Sequence, residues 1–319
     1  MLEPDRTTGG NTGSETGRSA GRNTGRNTGR IEAPGRGMAC MMGGSLLLTV
    51  NDGVVKWVSG DFQVGQILAF RGLAALILIA LVLWWRNEFH IFQVRYPKIQ
   101  FIRAVLMITS TFLFVNGLRL MPLADTVAIA FVGPIFVTAL APFLLSERVG
   151  WRRWTAVLVG FGGVVVILRP EGGALHWAAL LPAGAALCGA CRDLLTRGIS
   201  HGEASGTTLF YSTLGVALAG AVMAPFGWRT PELGDLGLFA VAGLLLAVAH
   251  FLHIETFRYA EAAVVTPFKY SALLWAMVIG FLVWGDIPDI RTLLGASLLV
   301  GSGLYIFHRE GRQTAKMST

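Results

Sequence analysis

From Met38 onward, apolar runs of about twenty residues alternate with short polar breaks. The runs fall at 38–58, 62–84, 100–120, 123–145, 150–168, 175–195, 205–226, 235–257, 262–284 and 288–308. A helix of that length rises far enough to cross a hydrocarbon core of about 30 Å. The pattern predicts an all-α integral membrane protein of ten transmembrane helices, joined so tightly that no soluble domain fits between them. Residues 1–37 read differently. They carry a GRNT tandem and no apolar periodicity, so they are expected to form a disordered tail. No apolar core with a small-residue cleavage site precedes Met38, which argues against a signal peptide. Met38 is a candidate start.

Composition supports this reading. Of 319 residues, 53% are hydrophobic and 14% charged, against about 25% charged in soluble domains. Three cysteines exclude a disulfide scaffold. The net charge of +7 is better explained by topology than by nucleic-acid binding, because no cluster of lysines with aromatics exists. With the N-terminus in the cytoplasm, nineteen basic residues fall on the inner side. Only Arg119, Arg169, Arg229 and Arg291 fall outside, as the positive-inside rule asks. Both termini are therefore expected in the cytoplasm, with the chain in a bacterial inner membrane. No G-x4-G-K-[ST] loop occurs, so no nucleotide-hydrolysing activity and no cofactor is expected.

The ten runs divide into five plus five. Shifting 118–168 by 139 aligns Arg119 with Arg258, Glu147 with Asp286, and Gly162 with Gly301. A shift of 141 lays Asp52-x3-Lys56-x2-Ser59 over Asp193-x3-Arg197-x2-Ser200. An odd number of spans per copy inverts the second copy in the bilayer, the arrangement of alternating-access transporters. The expected organisation is a tail at 1–37, a first repeat at 38–168, an inverted second repeat at 175–308 and a cytoplasmic tail at 309–319.

The stretch Gly117-Leu-Arg-Leu-Met-Pro-Leu-Ala-Asp-Thr-Val-Ala-Ile-Ala-Phe-Val-Gly-Pro134 resembles the third-to-fourth helix hairpin of EamA-type transporters, in the drug/metabolite transporter superfamily. Glu147, Arg152-Arg-Trp and Gly160-Phe-Gly-Gly-Val-Val-Val-Ile-Leu-Arg-Pro170 continue the pattern, as does Asn51-Asp52 with Lys56. The likeness covers residues 38–310. It implies a ten-helix inverted-repeat bundle that moves small organic metabolites.

Charged and polar side chains inside a membrane are costly, so those present mark cavities or partners. Asp52 and Lys56 share a helix face four residues apart, as do Asp193 and Arg197. Each pair reads as a gate or as a helix-end ion pair in the headgroups. Asn116 corresponds to Glu255 under the shift of 139. His250 and His253 beside Glu255 suit proton coupling or substrate polarisation, or simple helix packing, and make a poor metal site. Lys269, just after Pro267 and next to Tyr270, fits an anionic substrate group, or an ion pair with Glu255 or Asp193. Arg71 has the same ambiguity toward Asp52. Phe131, Pro134, Tyr270 and Trp275 suit an aromatic-walled pocket, with Pro134 breaking its helix. Cys188-x2-Cys191 reads as close helix packing.

The expected function is a secondary transporter of a small, amino-acid-like or related metabolite. The alternatives are a membrane enzyme on a lipid-linked substrate and a non-transporting subunit. Expected partners are a small-molecule substrate and the lipid bilayer, without nucleic acid; a homodimer is compatible with the sequence.

Overall fold

The computed structural model describes residues 34–85, 96–144, 150–168, 175–199, 205–259 and 265–317. Everything below concerns the compact body from residue 31 onward. Among the described residues every regular element is helical. They are α1 (Pro34–Val58), α2 (Val64–Trp85), α3 (Pro97–Leu120), α4 (Leu123–Ala130), α5 (Gly133–Leu144) and α6 (Trp151–Leu168). Then come α7 (Leu175–Ala178), α8 (Leu180–Ile199), α9 (Ser205–Val222), α10 (Leu233–Tyr259), α11 (Ser271–Trp284) and α12 (Ile290–Met317). Two 3-10 turns, Ala224–Phe226 and Thr266–Tyr270, follow α9 and precede α11.

The twelve helices make ten rods. α4 and α5 are one rod interrupted at Phe131–Val132, α7 and α8 are a second interrupted at Ala179, and the turn Thr266–Tyr270 runs into α11. The break in the fourth rod has a covalent cause. Pro134 has no N–H to donate and its ring crowds the preceding turn, so the chain turns at Phe131 and restarts with Pro134 near the new N-terminus. Pro267 sits the same way at the start of its 3-10 turn. Six rods are long and apolar enough to span a membrane, among them Gly35–Val58, Val64–Val82 and Leu233–His253. Three more are apolar but shorter, at Trp154–Ile167, Leu209–Val222 and Ile290–Tyr305. The remaining rod is α8, which carries Arg192, Asp193 and Arg197.

Two observed ends differ from the sequence reading. α1 starts at Pro34 rather than 38, with proline in a first turn where no N–H is needed. α12 continues to Met317, through the stretch expected as a tail from 309. No proline interrupts it there, and Arg, Glu, Gln and Lys are good helix formers. The tail expected over 1–37 lies outside the described residues as far as 33.

Numbering rods by chain order, the principal packing pairs are 1 with 8, 5 with 10, 2 with 7 and 3 with 6, and rod 4 also packs on rod 9. Rods 2 with 8, 3 with 7, 1 with 9 and 4 with 6 also pack. Two apolar cores result. One gathers Val55, Ile67, Leu68, Leu118, Leu123 and Phe239, and the other Ile129, Ile135, Val157, Ile167 and Leu299. Phe239 ties the first together, with its ring 5.2 Å from Phe62 and 5.4 Å from Phe70. One close crossing lies between α6 and α12. A Cβ at Gly163 would fall 2.6 Å from the Gly295 carbonyl oxygen, and one at Gly295 2.5 Å from that of Gly163. Only glycine on both sides allows this approach.

Candidate functional site

Three polar groups stand at successive depths in the bundle. The first closes one end. Lys56, two residues before the end of α1, donates from Nζ to the carbonyl of Leu118 at 3.1 Å and to that of Met121. Those carbonyls belong to the end of α3, where backbone acceptors have no intrahelical partner. The ammonium also lies 5.4 Å from the Trp284 ring centroid and faces the charges of Asp286 and Asp125. Asp125 accepts from the Thr292 hydroxyl at 2.8 Å. Gly285 makes this convergence sterically possible. It adopts φ +69°, a left-handed helix stop that suits glycine, and its N–H and that of Asp286 return to the Phe281 and Gly280 carbonyls. At the same end Gln66 donates to the Arg229 carbonyl at 2.6 Å and accepts from the Arg229 N–H at 3.2 Å. Arg229 also reaches Asp61 at 3.9 Å.

The second group lies deeper. Asp52 is six residues from the end of α1, and Arg71 seven from the start of α2. Both therefore sit about 10 Å below the closed end at 1.5 Å per residue. Asp52 is 9% exposed and Arg71 6%. Asn51 Nδ2 donates to the Asp52 carboxylate at 3.0 Å, and Asp52 and Arg71 face each other electrostatically without touching. Arg71 Nε and Asn51 Oδ1 are buried with no hydrogen-bond partner. Trp275, nine residues from the end of α11, sits at similar depth with an unpartnered indole N–H. The break between α4 and α5 lies alongside, eight residues into that rod, and its Phe131 ring meets Tyr270 at a centroid distance of 4.9 Å. The Tyr270 hydroxyl is unpartnered as well. Seven further residues along α10 from Gly243, whose Cα packs against the backbone of Arg71, His250 leads to the third group.

That third group lies toward the opposite end of the bundle. His250 is within electrostatic reach of Arg71, Arg192 and Lys269. Lys269 faces Asp193 and Arg192, and His253 faces Lys269. Asp193 forms a forked pair with Arg192, at 3.1 Å from Nε and 2.8 Å from Nη2. Asp193 and Lys269 are both exposed. His253 packs on Gly44 of α1, with Nε2 buried and unpartnered.

Most of the residues singled out in the sequence therefore converge, though with different partners. Lys56 does not pair with Asp52, because the two side chains sit a turn apart in depth and each finds a nearer group. Asp193 pairs with Arg192, its neighbour in the chain, and the side chain of Arg197 lies outside the described residues. Asn116 stays apart, since its amide donates to the Phe112 carbonyl of its own helix at 2.8 Å. Pro134 contributes the helix break and a carbonyl that accepts from Thr138. Glu255 is half-buried and already engaged. Sequence reasoning missed Asp125, Gln66, Trp284 and Arg192. A carboxylate opening the fourth span and a glutamine opening the second were the available signals. Among the described residues no three His, Cys, Asp or Glu side chains gather as metal ligands.

No reacting constellation emerges from these groups. A string of polar side chains along the bundle, tied together at one end by Lys56 and exposed at the other at Asp193 and Lys269, is suited to conducting a solute. Comparison with known proteins agrees. Residues 35–169 match the EamA-like transporter family. The riboflavin transporter of Rhizobium johnstonii is 33% identical over 70% of this chain and 74% of its own length. The S-adenosylmethionine uptake transporter of Rickettsia bellii is 25% identical over 84% of this chain and 92% of its own. A protein crystal structure, 16% identical, superposes with a TM-score of 0.61 over 85% of this chain and 96% of that one, which establishes the shared fold. The chain belongs to the EamA-like transporter family of the drug/metabolite transporter superfamily, and is a multi-pass membrane transporter of small molecules rather than an enzyme.

Proposed function

We propose that the protein is an inner-membrane secondary transporter that carries a polar, ring-bearing metabolite by alternating access, with both termini in the cytoplasm. The observation that carries this reading is the set of unpartnered buried polar atoms at one depth. Asn51 Oδ1, Arg71 Nε and the Trp275 indole N–H each lack a hydrogen bond. A buried polar group left unmatched costs about 1–3 kcal/mol, so three together call for a guest that supplies acceptors and donors. Phe131 and Tyr270, their rings tilted by 40° to one another, offer that guest an aromatic wall. Riboflavin and S-adenosylmethionine, the cargoes named for the relatives, both join a heteroaromatic ring to a polar chain, and this seat suits that type of molecule.

The two halves, 38–168 and 175–308, act as inverted repeats in this mechanism. Support comes from the packing pattern. Exchanging each rod with the one five places later turns pair 1–8 into 6–3, 2–8 into 7–3 and 1–9 into 6–4, and all of these pairs occur. Phe131 and Tyr270, related by the shift of 139, touch each other. A contact between equivalent residues is what a pseudo-two-fold axis produces. With the N-terminus inside, the end tied by Lys56 faces outward and the end with exposed Asp193 and Lys269 faces the cytoplasm. Gradient or downhill flow supplies the energy.

Counterflow in proteoliposomes tests this. Vesicles preloaded with unlabelled riboflavin or S-adenosylmethionine should accumulate the matching labelled compound faster than empty ones. No counterflow with either compound, and no thermal stabilisation by either, would refute the cargo class.

A further inference from the structure

Lys56 has no contact with Asn51, Arg71 or Trp275 of the seat among those described, yet it gathers partners from several helices. Its ammonium binds main-chain carbonyls of Leu118 and Met121, lies over Trp284 and faces Asp125 and Asp286. These partners come from both halves of the molecule. Leu118, Met121 and Asp125 belong to the hairpin of α3 and α4, whereas Trp284 ends α11 and Asp286 belongs to the turn that follows it. Thr292 of α12 in turn holds Asp125 at 2.8 Å. The tie is built on carbonyls exposed by the end of α3, so it exists only while that helix end lies over α1. One turn below it lie Asp52 and Arg71, the upper edge of the seat.

We infer that Lys56 is a positioning residue for transport: its ammonium latches α1 to the α3–α4 hairpin and to the α11–α12 turn, and its release opens the bundle at that end. This rests on the transport reading above. The latch closes the outer end in the state described here, while the opposite end stays open around Asp193 and Lys269. Its chemistry suits a reversible contact. A lysine on carbonyls and an indole face breaks without leaving a fixed ionic partner stranded, because water at the opened end solvates every group involved.

The test reads accessibility from each side and needs no cargo. In a chain with Cys40, Cys188 and Cys191 replaced by Ser, Leu123→Cys places a thiol at the start of α4, where Leu123 is 0% exposed directly beneath the latch. A second chain keeps Cys191, two residues before the exposed Asp193, as its single thiol. A membrane-impermeant maleimide is applied to right-side-out vesicles for the first and to inverted vesicles for the second. Lys56→Met should speed labelling at Leu123→Cys about tenfold, the scale of losing hydrogen bonds to a charged group, and slow labelling at Cys191. Lys56→Arg, which still reaches the carbonyls, should restore both rates. Trp284→Leu, which leaves the lysine in place, should give a smaller shift of the same sign. In counterflow, Lys56→Met should change the maximal rate and not the half-saturating cargo concentration.

Unchanged labelling in folded Lys56→Met overturns the latch, as does faster labelling at both sites, which marks general loosening. If Lys56→Met fails to fold, the Trp284→Leu result decides in the same way. Absent counterflow in the unmodified protein overturns the cargo class alone and leaves the latch standing on its sided labelling.

Discussion

Asp52 and Arg71 make the sharpest stability test. Both are nearly fully buried, and Arg71 Nε has no hydrogen bond to offset its burial; the facing carboxylate compensates the guanidinium charge. Asp52→Asn keeps the shape and the hydrogen bond to Asn51 but strands the guanidinium. Breaking a buried pair by removing one partner costs about 3–5 kcal/mol. At roughly 2–4 °C per kcal/mol for a chain of this order, the melting temperature should fall by about 10 °C. Replacing both members, Asp52→Asn with Arg71→Met, removes the charge along with its partner. The net worth of such a pair is small, so the double variant should recover most of the loss. It should still bind cargo poorly, because the guanidinium donor of the seat is gone. Thermal unfolding in one detergent, read by tryptophan fluorescence, gives the four corners of the cycle. Additivity within about 0.5 kcal/mol would show that Asp52 and Arg71 do not act as one unit. Undiminished cargo binding by the double variant would move both residues out of the seat.

Three further outcomes follow from the same geometry. A Cβ at Gly303 would lie 1.7 Å from the Tyr270 hydroxyl, so Gly303→Ala should destabilise by about 1–3 kcal/mol. Adding Tyr270→Phe should recover part of it in the same melt. Gln66→Leu severs both bonds to the Arg229 backbone and should cost about 1–3 kcal/mol, seen as a lower melting temperature with cargo affinity unchanged. Trp275→Phe removes an indole N–H that has no protein partner, so the melt should stay within about 0.5 kcal/mol. Cargo affinity, measured by equilibrium dialysis, should fall about tenfold.

The course of the chain was readable from its apolar runs because lipid imposes one rule everywhere: each crossing must satisfy its own backbone. All ten runs correspond to rods, and Pro134 forecast the interruption of the fourth. The pieces that periodicity did not reveal are those decided locally. The split at Ala179 has no proline or glycine at its position, and Pro182, three residues on, packs against Gly117 of α3. The α12 extension past 308 reflects backbone propensity outlasting the apolar run. The shift of 139 relates Phe131 to Tyr270, which the fold brings together, whereas it does not do so for Asn116 and Glu255.

The site was legible as a set of residue types and opaque as a set of partners. Spacing of four residues correctly put Asp52 and Lys56 on one helix face, and this is where spacing stops helping. Facing the same way does not make two side chains meet when each has a better neighbour across the bundle. Lys56 is long and flexible, and close to the end of α1. The unsatisfied carbonyls at the end of α3 outcompete a carboxylate one turn deeper, since reaching them keeps the ammonium near water. Asp52 has no such reach, so it faces Arg71, a cation at its own depth that the sequence placed nineteen residues away and on another helix. Neither choice leaves a trace in the local pattern, because both depend on which helix ends coincide in depth. Depth itself can be counted from the ends of the runs. Six residues down from the end of α1 and seven in from the start of α2 are nearly the same level. The sequence left Arg71 between an anionic substrate group and Asp52; assigning each buried charge a depth before a partner decides for Asp52 and frees Lys56 for the end of the bundle.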